Sequence, residues 1–197
     1  MLDLTLQKRQ LCDIQGRLFE LALKAGYDCP NFIKTFMNSR AAAALDDVYD
    51  RLQWAGEEYI LEELNEEAGG LKKAGTVYSR EVMYWTGYVY RYWHYYTGEN
   101  SSQIYKTADE KRMQESWLGF HTLDVEMAID NLKEIHDQKL ARKILEIISL
   151  IQYREYILNK LVAGDYDSFM KVSDQIEIEK VQQFVKRLKK DKTFIDK

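Results

Sequence analysis

Little in this chain of 197 residues breaks a helix: proline occurs once, at Pro30, and glycine ten times. Proline removes a backbone donor and clashes with the preceding turn, so its scarcity leaves long stretches open to helix. Cysteine is scarce too. Cys12 and Cys29 form no CxxC pair, which speaks against a disulfide-stapled scaffold and fits a reducing compartment. The three histidines, His94, His121 and His136, stand at no ligand spacing from one another or from a cysteine, which argues against zinc. No run nears the roughly 18 apolar residues of a membrane span, and the opening "MLDLTLQKRQ" lacks a signal peptide's apolar centre. Positive charge is not in excess. The 28 Lys and Arg face 32 Asp and Glu, so no general field draws the chain to nucleic acid or anionic lipid. No glycine-rich phosphate loop and no Ser-His-Asp or Cys-His arrangement stands out. The expectation is a cytoplasmic, non-catalytic protein with no cofactor.

What remains is helix. Leu4, Leu11, Ile14, Leu18, Leu21 and Ala25 recur at helical spacing and predict a first helix over residues 3–25, stopped at Gly26. Asp28 and Pro30 start a short second helix. Ser39 caps a long one that runs to Gly69-Gly70, bent at Asp46-Asp47 or Gly56. "GGLKKAGTVY" is the clearest linker. Ser79 then opens an aromatic segment that Gly98 closes. "NSSQIYKTA" and "DEKRMQESW" read as two short helices, and Asp124 caps another. From there Leu140, Ile144, Ile147, Ile151, Leu158 and Leu161 follow steps of four and three, interrupted at Arg154. That is a coiled-coil-like seam, a surface for a homo-oligomer through residues 140–161, ending at Gly164. A last helix is expected over residues 174–190. The whole reads as all-α: a multi-helix bundle with a long heptad-like helix in the C-terminal third. It is laid out as residues 1–70, 71–138 and 139–197, or as one continuous domain.

The densest chemistry lies in "MYWTGYVYRYWHYYTGE", where eight of seventeen residues are Tyr or Trp. A helix over residues 80–96 carries rings on every side, which predicts burial on most of them. A core helix is the first expectation and a protein-binding face the second, because Tyr, Trp and Arg dominate interface hot spots. An RNA-stacking platform comes third, since such platforms need a basic groove and only Arg91 and His94 supply positive charge. A hairpin turned at Thr86-Gly87 competes with helix, because Tyr, Trp and Val prefer strands.

"EEYILEELNEE" places six carboxylates in eleven residues. Glu58, Glu62 and Glu66 repeat at i, i+4 and i+8, which is repulsive without compensation. They make either a solvated face or a negative stripe that steers a basic partner. Glu62, Glu63 and Glu66 also have the EExxE form of the Mg²⁺-dependent, all-helical nucleoside-triphosphate pyrophosphatases resembling the MazG family. A partner for them, Asp137 in "EIHD", lies far beyond the usual short gap.

Two blocks, "FMNSRAAAALDDVYDRLQWAGEEYILEEL" and "MYWTGYVYRYWHYYTGENSSQIYK" with the later "FHTLDVEMAID", resemble an uncharacterised family of gut-type bacterial proteins. The resemblance covers about residues 32–132 and rests on "QWAGEEY", "YRYW", "IYK" and "HTLD". Genes of that family often lie beside those of ADP-ribosyltransferase-like toxins, which implies an antitoxin or immunity role. The resemblance therefore implies a protein partner, a toxin or nuclease-like enzyme with a basic cleft. Glu58, Glu62, Trp85, Tyr88, Arg91, Tyr92 and Trp93 are the residues expected to meet it.

Overall fold

Thr5 starts the first helix by accepting a hydrogen bond from the Lys8 amide, and α1 then runs Leu6–Lys24. The computed structural model describes residues 3–162. Asp28 caps α2 (Cys29–Met37) by accepting from the Asn31 amide at 2.9 Å, with Pro30 in the first turn where its missing N–H does no harm. Ser39 caps α3 (Arg40–Asp46) through the Ala42 amide at 3.0 Å.

The long helix expected from Ser39 to Gly69 is three pieces. After α3 come a 3-10 turn (Arg51–Trp54) and α4 (Glu57–Glu67). The cause is side chains competing for backbone groups. The buried Gln53 donates to the carbonyls of Ala44 and Asp47, at 3.3 and 2.7 Å, and Asp50 accepts from the Leu52 amide at 2.8 Å. Those bonds hold the connection in a shape that a continuous helix cannot adopt.

The linker after α4 is pinned rather than loose. The Asp28 carboxylate accepts from the Thr76 amide (3.1 Å) and from Lys72 Nζ (3.3 Å). Gly75 is required there, because a Cβ would sit 1.6 Å from Asp28 Oδ2. The aromatic segment is helix, α5 (Arg80–Thr97), capped by Ser79 and closed by Gly98 at φ 77°. Next are α6 (Ser101–Thr107), opened by an Asn100–Gln103 capping box, α7 (Glu110–Phe120), and α8 (Val125–Val162). The described residues form no strand and no sheet, only an isolated bridge between Tyr27 and Lys73. Among them, no helix is long and apolar enough to cross a membrane.

The chain divides into two units, residues 1–139 and 140–197. In the first, α1 and α5 pack along each other most extensively. Glycine permits the approach: a Cβ on Gly87 would meet the Gln15 carbonyl oxygen at 2.4 Å, and one on Gly16 would meet the Tyr84 ring at 2.8 Å. Phe19 from α1 then reaches Phe32 and Phe36 of α2 edge-to-face, at 5.2 and 5.4 Å between ring centres. In the second unit the described seam residues Leu140, Ile144, Ile147 and Ile151 are exposed. The side chains of Leu158 and Leu161, the stop at Gly164 and the helix expected over 174–190 lie outside the described residues.

Helix propensity and packing oppose each other at Gly87. Alanine in a helix interior gains about 0.5–1 kcal/mol over glycine, but forcing a methyl against backbone costs about 1–3 kcal/mol. Packing should win, and Gly87→Ala should lower the thermal midpoint; an unchanged or raised midpoint would show that the crossing is not this close.

Candidate functional site

Arg91 is completely buried, and its guanidinium reaches three other helices. Nε donates to Gln15 Oε1 on α1 at 2.8 Å. Nη1 donates to the Leu45 carbonyl at 3.0 Å and to Asp46 Oδ1 at 2.7 Å on α3. Nη2 donates to Ser101 Oγ on α6 at 3.4 Å. Asp46 in turn accepts from the Ser101 amide and hydroxyl, at 2.7 and 2.8 Å. A buried charge survives only when paired and hydrogen-bonded, and this one is both. His94 lies at its edge. Its Nδ1 is 2.9 Å from the Glu99 carbonyl, which can only accept, so Nδ1 carries the proton. Burial, and then the Arg91 charge, push this imidazole below its usual range.

The rings of α5 divide by depth. Trp93 and Tyr90 are enclosed: Trp93 Nε1 donates to Glu99 at 2.6 Å, and the Tyr90 hydroxyl to the Ala108 carbonyl at 2.6 Å. Tyr92 is buried too, its hydroxyl on Glu126 at 2.9 Å. Trp85 and Tyr88 are half-buried. Tyr84, Tyr88 and Tyr92 stack one turn apart, 6.2 and 6.4 Å between ring centres, and the Tyr84 hydroxyl donates to Asp13 at 2.7 Å. Of the residues expected at a partner surface, Arg91 and Trp93 are therefore sealed inside, Tyr92 nearly so, and Trp85 and Tyr88 show only an edge.

The acidic helix α4 separates its carboxylates by role. Glu57 takes Arg17 of α1 at 2.8 Å. Glu63 accepts from the Tyr59 hydroxyl at 2.5 Å and lies 3.6 Å from Arg51. Glu67 accepts from the Arg40 and Ala41 amides, 2.8 and 3.3 Å away, at the start of α3, where helix amides favour an anion. The other three, Glu58, Glu62 and Glu66, are exposed and have no cationic partner among the described residues.

Glu66 also faces a cleft of about 670 Å³ between α3 and α4. Asp47, Asp50, Glu63 and Glu67 line it as well, with Arg40 and Arg51 as the cations. The connection that forms one wall carries Val48, Tyr49 and Trp54, which are 99%, 75% and 66% exposed. Sequence reasoning missed these three, because a helix through residues 40–68 would have hidden the turn that displays them.

The four carboxylates of the Mg²⁺ reading do not converge. Glu62 is exposed, Glu63 holds Tyr59, Glu66 faces the cleft, and Asp137 is exposed on α8. Among the described residues no three His, Cys, Asp or Glu side chains are grouped to hold a metal ion. No protein-family model, curated protein or solved structure matches the chain.

His94 gives a pH test of the buried network. Just below the ordinary imidazole value of about 6.5 the unfolded chain binds a proton that the folded one resists. His94 therefore contributes stability above that value, and this is lost as pH falls toward the depressed folded pKa. Urea midpoints taken from about pH 7 to about pH 5.5 should fall less steeply in His94→Asn than in the parent; parallel slopes would contradict the assignment.

Proposed function

We propose that the chain is a non-catalytic protein-binding protein, an antitoxin or inhibitor that covers a basic active site on its partner. The observation that carries this reading is the connection between α3 and α4, which exposes Val48, Tyr49 and Trp54 and whose Asp47 and Asp50 line the α3–α4 cleft together with Glu66. Large apolar side chains clustered on a surface connection mark an interaction site. Rings there supply anchoring area at low entropic cost, since each has only two side-chain torsions to fix. The uncompensated row Glu58, Glu62 and Glu66 supplies a negative field on the neighbouring helix, and such a field acts on association rate and on choice of partner.

The support beneath this surface is rigid. Gln53 clamps the connection through two carbonyls, and Glu67 ties α4 to the start of α3. A surface held in this way binds without first being ordered, which keeps the entropic cost of association low. The partner that fits is a protein whose cleft is lined with Lys or Arg. The antitoxin-like family that "QWAGEEY" resembles implies the same kind of partner, and that string includes the exposed Trp54 and Tyr59.

Tagged full-length protein expressed in its native host should recover a basic protein. The Tyr49→Ala/Trp54→Ala variant should lose it, since truncating one aromatic anchor costs about 2 kcal/mol or some thirtyfold in affinity. Leu118→Ala, at a side chain 77% exposed on α7, should retain it. Equal recovery by all three proteins, or repeated recovery of nothing by the parent, would overturn the reading.

A further inference from the structure

The stripe along α8 that recurs by alternating steps of three and four reads Asp137, Leu140, Ile144, Ile147, Ile151, Arg154. All six side chains are exposed. The spacing is the same from either end, 3-4-3-4-3, and the chemistry is complementary from either end: an acid, four large aliphatics, a base. Over its length of about 26 Å at 1.5 Å per residue, the stripe fits an antiparallel copy of itself.

The geometry points to a second copy of this chain as what covers the stripe, docked antiparallel about a two-fold axis. In that register Leu140 meets Ile151 of the second copy, Ile144 meets its Ile147, and Asp137 meets its Arg154. The parallel, in-register alternative sets Asp137 against Asp137 and Arg154 against Arg154, and like charges facing each other in a seam are costly. The interruption of the seam at Arg154 thereby becomes the feature that fixes direction. Ile148, 43% exposed, falls beside the seam against Ala141 of the second copy and widens it. Glu134 and Glu155 of the second copy come together on the solvated rim, once at each end, where exposed like-charged pairs weigh little. His136 Nδ1 is 3.2 Å from Asp137 Oδ1, and the arriving guanidinium would share that carboxylate. This inference rests on α8 alone and is independent of the cleft between α3 and α4.

Light-scattering mass on the full-length protein across micromolar concentrations tests it. The parent should be a dimer. Arg154→Asp should shift the equilibrium at least tenfold toward monomer, because it sets two carboxylates together at each end. Asp137→Arg combined with Arg154→Asp should restore the dimer, since that swap rebuilds both pairs only if the helices run antiparallel. Ile147→Asp should abolish it, and helicity by circular dichroism should be unchanged in every variant because the altered side chains are exposed. A monomeric parent would overturn the proposal. A dimer that survives Ile147→Asp would overturn the surface, and one indifferent to Arg154→Asp would overturn the direction.

Discussion

A single guanidinium, that of Arg91, is the fixed point to which four helices of the first unit are tied. It is fully enclosed and bonded to α1, α3 and α6 from its place on α5. The glycine crossing of α1 and α5 brings Gln15 within reach, and Asp46 ends α3 where its carboxylate can serve both Arg91 and the start of α6. Taking such a charge out of water is costly unless its donors are satisfied, so the arrangement accepts few alternatives. Phe19, Phe32, Phe36, Tyr90 and Trp93 are among the largest side chains of the apolar core, while the polar network supplies the register.

That internal assignment decides what the surface can be. The aromatic helix is mostly core, with Tyr84, Trp85, Tyr88, Tyr95 and Tyr96 only partly open to solvent. Exposed rings are found instead on the connection between α3 and α4, whose Asp47 and Asp50 line the cleft. Asp46 links the two: it closes α3 inside the network, and the next residue, Asp47, lines the cleft, ahead of the exposed Val48 and Tyr49. The proposed binding surface is thus fixed at one end by the most buried charge in the described structure.

Local signals in the sequence located most helices. The caps Asp28, Ser39, Ser79 and Asp124 and the stop at Gly98 act within three or four residues, so each can be read without knowing the fold. The acidic stripe Glu58, Glu62 and Glu66 was legible for the same reason, since i, i+4 spacing determines a helix face. The break between Asp46 and Glu57 was not, because it depends on Gln53 finding carbonyls six and nine residues away in a folded chain. Nor was the depth of Arg91. An arginine among tyrosines has the composition of an interface hot spot, and only partners 45 and 76 residues distant show it to be internal.

A double-mutant cycle between Arg91 and Asp46 tests this account most directly. Arg91→Met and Asp46→Leu each strand a charge in the interior, and each should cost about 3 kcal/mol or more in urea-unfolding free energy. The double variant removes both charges, so it should cost less than the sum by well over 1 kcal/mol. Costs that simply add, to within about 0.5 kcal/mol, would mean that Arg91 does not hold the helices together and that its place inside the bundle is misjudged.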